Sequence, residues 1–255
     1  MSSKGPLHSA ELMDRLIHAL DYKEPLSVVS VGQTEAFVMA QYAIYSEEEF
    51  MSHREAYNAN RGETKGFFHR GIRFPNREAR DATVEAVKKA DVIGYNLHVE
   101  TARVFTERVF SAYNIEPRCV FEANIRRVFM YSQEEKCQEM LRERKILLIG
   151  SLAAEAAAVL NARLKSKLGF NIVGALPIYE YEEISDVQRM IADYDFDLCF
   201  LAAGVNAVIL ASFIAEKYGK VAFDIGWGMQ SMIKGYVTID SWVSNHIGIE
   251  NLFRM

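Results

Sequence analysis

Lys145-Ile146-Leu147-Leu148-Ile149-Gly150-Ser151 is a short apolar run that stops at a glycine and a serine, and Leu152 to Leu168 follows it as an alanine-rich segment. A run this short, without polar alternation, reads as a strand buried on both faces, and the segment behind it is long enough for a helix. Toward the carboxyl end the unit recurs. Asn171 to Gly174 is a strand and Ile184 to Tyr194 a helix, then Asp197 to Ala202 a strand, Val205 to Tyr218 a helix and Lys220 to Phe223 a strand. Toward the amino end come a helix from Ser132 to Arg144, a strand from Arg118 to Phe121, a helix from Thr101 to Tyr113 and a strand from Asp91 to Tyr95.

Upstream, Asn76 caps a helix that reaches Lys89, and Leu26 to Val31 is another buried strand. Gly32 breaks that strand before a helix from Thr34 to Ala43, and Ser46 with Glu47, Glu48 and Glu49 starts a further one. Ser9 caps a first helix to Leu20, whose Leu12, Leu16, Ile17 and Leu20 share one face. Strands alternating with amphipathic helices predict an α/β, Rossmann-like fold: a mostly parallel sheet with helices on both faces. The expected division is a helical extension over 1–24, one principal domain over 25–240 and a tail over 241–255. Asn58 to Pro75 is the longest irregular stretch, with Gly62, Gly66 and Gly71 among Arg61, Lys65, His69, Arg70 and Arg73. Such a basic loop is either a phosphate clamp or simply solvated.

Composition narrows the function classes. Of 255 residues half are hydrophobic and a quarter charged, with a formal net charge of −5. That balance gives no general attraction to nucleic acid or to an anionic membrane surface. Cys119, Cys137 and Cys199 share no disulfide or zinc spacing, and the histidines show no metal-ligand pattern. No stretch approaches the ~20 apolar residues of a membrane span, and Met1 to Leu20 does not read as a signal peptide. The expectation is a cytoplasmic protein.

In such sheets ligands lie beyond the carboxyl ends of the strands. The residues there are Gly32, Gln33 and Glu35; Asn96 and His98; Glu122, Asn124 and Arg126; Gly150 and Ser151; Gly204 and Asn206; Asp224, Gly226 and Gly228. Small and polar side chains at nearly every position suit a ligand crevice, since glycine lets backbone N–H groups approach a phosphate. Each also has a plainer reading. Gly150-Ser151 serves equally as a tight turn with a cap, Gly204 and Asn206 as an ordinary strand-to-helix turn, and Glu35 as a partner of its helix dipole. No dinucleotide fingerprint, phosphate-binding lysine loop or nucleophile elbow is present.

Pro25 to Glu35 with Ala40-Gln41-Tyr42, Phe74 to Asp91, Phe196 to Ala211 and Gly219 to Gly226 jointly resemble bacterial glycosyltransferases of the GT-D type. The resemblance implies a domain that transfers sugar from a nucleotide sugar, typically a UDP-sugar, to a glycan or glycoconjugate acceptor. It also implies a divalent cation, Mn²⁺ or Mg²⁺, held near the diphosphate by an Asp-x-Glu motif. Here that motif reads Gln33-Thr34-Glu35, and Ser30 stands where the family has arginine. Losing one carboxylate weakens a hard-cation site by about tenfold or more.

Glu35 is therefore the expected metal ligand and, with Asp224, the expected catalytic pair. Gly32, Gln33, Asn124, Arg126, Gly150, Ser151, Gly204 and Asn206 are the expected nucleotide-sugar contacts. Weak metal binding, compensation by Asp224, and a silent binding or partner subunit all stay open. A methyltransferase-like enzyme on a similar sheet is a more distant reading. Trp227, Met229, Met232 and the tail residues Ile247, Ile249, Leu252 and Phe253 read as core or as a surface for a second copy of the chain.

Overall fold

Leu26, Val28, Val29 and Val31 lie on one strand yet belong to two cores, because successive side chains of a strand point to opposite faces. Val29 and Val31 join one apolar cluster, with Ile93, Leu147, Leu201 and the helices Arg77–Lys89 and Val205–Tyr218. Leu26 and Val28 join the other, with Leu148, Phe223 and the helices Ser9–Tyr22 and Ala153–Arg163. Each fully buried Val or Leu contributes ~1.5–3 kcal/mol against exposure, so a strand buried along its whole length anchors both layers.

The computed structural model describes residues 5–61 and 70–255. Its strands are β1 (Leu26–Val31), β2 (Val92–Tyr95), β3 (Val120–Glu122), β4 (Lys145–Gly150), β5 (Asn171–Leu176), β6 (Leu198–Ala202) and β7 (Val221–Asp224). They form one seven-stranded sheet in the order β3-β2-β1-β7-β6-β4-β5. Every pairing is parallel. The expected α/β architecture with helices on both faces is the observed one. β1 leads outward to β2 and β3, whereas its other neighbour, β7, comes from the far end of the chain. A crevice opens at that switch in direction, beyond the carboxyl ends.

Several expected boundaries move. The helix expected over Thr34 to Ala43 is Gln33–Ala40, and the one over Ser132 to Arg144 is two, Phe129–Ser132 and Glu134–Leu141. Leu152 to Leu168 divides at Leu164 into Ala153–Arg163 and Lys165–Leu168. The first part of the supposedly irregular stretch is helical, Arg54–Arg61, because Ala56 and Ala59 are buried against Phe37, Phe50 and Phe74. Gly62, Lys65, Gly66 and His69 of the basic loop lie outside the described residues. Ser9 is not the cap of its helix. His8 precedes it, the Glu11 carboxylate accepts from the His8 backbone N–H at 2.9 Å, and Ser9 is buried with its hydroxyl 3.3 Å from that of Ser132.

The tail folds into Ser241–His246 and Ile249–Arg254, and Val243, Ile247 and Leu252 pack on Val128. Met229, Met232, Ile247 and Leu252 are core, whereas Ile249 and Phe253 are exposed. No helix among the described residues is long and apolar enough to cross a membrane.

Candidate functional site at the carboxyl edge

A cavity of about 430 Å³ opens at the carboxyl ends of β1, β6 and β7. That volume lies in the ~300–1,000 Å³ range of small-molecule sites. Gly32, Gln33, Thr34 and Glu35 line it from β1, Gly204 from β6, and Asp224 and Gly226 from β7. Glu55 and Arg70 line it as well, as do Asn124, Arg126, Arg127, Trp227, Asp240 and Trp242. Both tryptophans of the chain therefore face this cleft.

Arg126 and Arg127 end a short 3₁₀ turn, Ala123–Arg127, that follows β3 directly. Glu122 holds that turn. It is 2% exposed, and its Oε1 accepts from the Asn124 backbone N–H at 3.1 Å and from Asn124 Nδ2 at 2.7 Å. Its Oε2 accepts from the backbone N–H groups of Leu97 at 2.8 Å and His98 at 3.3 Å, which ties the end of β2 to the end of β3. Asn124 Nδ2 also donates to Asn96 Oδ1 at 3.1 Å. The Asn124 amide is thus chiefly a brace for the cleft wall.

Arg126 Nη1 donates to Asp224 Oδ2 at 2.8 Å, and Asp224 Oδ1 accepts from the Gly226 N–H at 3.0 Å. Two glycines make the arginine's position possible. A Cβ on Gly226 would lie 2.8 Å from the Arg126 guanidinium, and one on Gly228 would run into the Arg126 carbonyl oxygen. Arg127 Nη1 donates to Asp240 Oδ2 at 2.9 Å, and its guanidinium lies over the Trp227 ring, 5.6 Å from the centroid. Burial pulls the Arg127 pKa down against the opposing pull of Asp240. Asp240 is also half-buried, which raises its pKa, but the Val243 amide and Arg127 outweigh that and hold it below the ordinary range.

Asp224 goes the other way. Burial pushes its pKa from 3.8 up to about 6, and the nearby Glu35 adds to that against the Arg126 charge. A carboxyl whose folded pKa is raised stabilises the fold most below its unfolded pKa and loses that contribution as pH rises through the folded one. Stability relative to Asp224→Asn is expected to be greatest below about pH 4 and to fall by about 3 kcal/mol as pH rises through about 6. Denaturant unfolding of both proteins across that range checks this; a constant difference would show that folding leaves the Asp224 pKa unshifted.

The expected site residues separate into two groups. Gly32, Gln33, Glu35, Asn124, Arg126, Ser151, Gly204 and Asp224 are brought together on one cavity. Ser151 does not cap the following helix, which starts at Ala153 without a side-chain cap, so its place is the cleft surface. Gly150 and Asn206 lie behind the wall. Asn206 is fully buried, and its Nδ2 donates to the Gly71 carbonyl at 2.9 Å, so the expectation that it faces the crevice is corrected. Gly150, at φ +149°, lets the backbone pass the Ala202 carbonyl, where a side chain would collide. Arg127, Glu55, Asp240 and Trp242 were missed. The signal for Arg127 is its place beside Arg126, and Trp227 reads in the sequence only as core or interface.

The cleft residues do not form a ready divalent-cation site. Glu35 Oε2 accepts from the Gly32 N–H at 2.9 Å, closing the start of its own helix. Both Asp224 oxygens are engaged, and Gln33 is a neutral amide. Among the described residues no group of three or more His, Cys, Asp or Glu is placed to hold a metal ion.

An all-parallel sheet covered on both faces, with a polar cleft at its carboxyl edge, places the chain among the Rossmann-like α/β proteins. Within that class it belongs to the GT-D fold-like domain family, whose model matches residues 7–232. A solved structure described as the highly conserved domain of unknown function 1792, with a distinct glycosyltransferase fold, is similar at a TM-score of 0.60 and 15% identity. The similarity covers 92% of this chain and 84% of that one. No curated protein matches this chain in sequence.

Proposed function

We propose that the protein is a glycosyltransferase that binds a nucleotide sugar, a UDP-sugar first among candidates, in the carboxyl-edge cleft and passes the sugar to a glycan or glycoconjugate. The observation that carries this reading is the cleft itself: a small-molecule-sized cavity at the switch point of the sheet, in a chain of the GT-D fold-like family. In the transfer, the bond between the sugar's anomeric carbon and the β-phosphate oxygen breaks and its electron pair leaves with the diphosphate. An acceptor oxygen bonds to that carbon and gives up its proton. Glu35 and Asp224 are the buried carboxylates lining the cleft, and a pKa of about 6 suits Asp224 to take that proton near neutral pH.

Titration calorimetry with UDP-, GDP- and dTDP-sugars, followed by donor hydrolysis, tests this reading. Binding of one donor in the micromolar range, with turnover lost in Glu35→Ala, is the expected result. No binding of any donor would overturn it. Gln33 favours a second reading, in which the cleft binds a nucleotide sugar without turning it over. Binding without hydrolysis in the wild type, and hydrolysis gained by Gln33→Asp with Mn²⁺, would select that one.

A further inference from the structure

We propose that Arg126 and Arg127 take the diphosphate of the bound nucleotide directly, in the place where a divalent cation would otherwise neutralise it. The inference rests on the nucleotide-sugar reading above and adds to it how this chain holds the charge.

Three observations converge. First, the carboxylates that a cation would need are missing or engaged: Gln33 is neutral, Glu35 closes its own helix start, and Asp224 is paired with Arg126. Second, two consecutive arginines face the cavity, each fixed by a single ion pair through Nη1, to Asp224 at 2.8 Å and to Asp240 at 2.9 Å. A guanidinium carries five N–H donors, so one ion pair leaves most of its capacity for another oxyanion. Both Nε atoms are buried with no acceptor, a cost that an incoming anion beside them can relieve.

Third, the surroundings are shaped around Arg126. Gly226 and Gly228 give way to its guanidinium and its backbone, and the Glu122 network fixes the turn that carries both arginines. Arginine suits this work because its planar fork meets two phosphate oxygens at once and keeps its charge in a partly buried site. Asp224 and Asp240 then act as resting counter-charges that keep two buried guanidinium groups paired while the cleft holds no anion.

The test is a calorimetric titration of the full chain with UDP, GDP, dTDP and inorganic pyrophosphate, in EDTA and in Mn²⁺. A diphosphate is expected to bind in EDTA within about tenfold of its affinity in Mn²⁺, less than a lost metal shell would cost. Arg126→Ala is expected to weaken that binding by about tenfold or more. Because Arg126→Ala leaves a buried carboxylate alone and can unfold the chain, two further variants carry the test. Arg126→Lys keeps the charge without the fork and is expected to recover part of the affinity. Asp224→Asn removes the competing carboxylate and is expected to tighten binding by about threefold or more, which a merely structural arginine would not produce. Binding that vanishes in EDTA and returns with Mn²⁺ would overturn the proposal and leave the nucleotide-sugar reading standing. Wild-type affinity in both Arg126→Lys and Asp224→Asn would also overturn it. No binding of any diphosphate, with or without Mn²⁺, would end both.

Discussion

Alanine at position 122 is expected to lower the unfolding free energy by about 3 kcal/mol or more, because four donors lose their acceptor at once. Those donors are the backbone N–H groups of Leu97, His98 and Asn124 and the Asn124 side-chain amide. A fully buried, unpaired donor costs about 1–3 kcal/mol, and the total stays well below four such costs because Leu97 is only half-buried and His98 is exposed to water. The hydrocarbon lost from Glu122 is a smaller effect. Glu122→Gln should recover only part of the loss, since one of its two terminal atoms is itself a donor facing donors. Urea unfolding followed by circular dichroism gives the comparison through a shift in midpoint at constant slope. A loss below about 1 kcal/mol would mean that the network does not hold the ends of β2 and β3 together.

Gly228→Ala is the second large effect, and it falls on binding more than on stability. The new Cβ would collide with the Arg126 carbonyl oxygen, a backbone atom that cannot swing aside as a side chain does. The arginine turn must move, at a cost of about 1–3 kcal/mol for overpacking. A shift of about an ångström at a positioned charge is enough to lose tenfold or more in diphosphate affinity. Gly219→Ala is the control, because Gly219 has φ +63° with nothing within 4 Å of a built Cβ. That variant carries backbone strain alone and should bind as the wild type does. Equal affinity in Gly228→Ala and Gly219→Ala would remove the arginine turn from the binding site.

Much of the sheet was legible from residue pattern alone. Leu26–Val31 and Val205–Tyr218 fall where their apolar runs and flanking glycines place them, and Asn76 caps its helix through a bond from the Ala79 N–H at 2.8 Å. Strand order was not legible, because β1 pairs with β7 through residues such as Val28 and Phe223 that lie far apart in the chain. Periodicity reports how a segment buries itself, not which segment it meets. The same limit governed the site. Gln33, Glu35 and Asp224 follow strands and could be read from position, whereas the Arg127–Asp240 pair spans 113 residues and depends on how the tail folds back. Asn206 shows the opposite failure. Its position after a strand suggested a ligand contact, but burial and a carbonyl partner at Gly71 give it a structural task.

The pairing of β1 with β7 also has a kinetic consequence. The third and fifth strands of the spatial order, β1 and β6, flank β7, the last strand in sequence, so the middle of the sheet closes only when all seven strands are available. Joining such distant segments carries a large loop-closure cost and slows folding relative to helical proteins of similar stability. Before β7 joins, β1 has only β2 to pair with, through Val28 to Val31, and the edge that Leu26 and Val28 offer to Val221 and Phe223 stays open. The ligand cleft, lined from both β1 and β7, cannot be complete before that pairing forms.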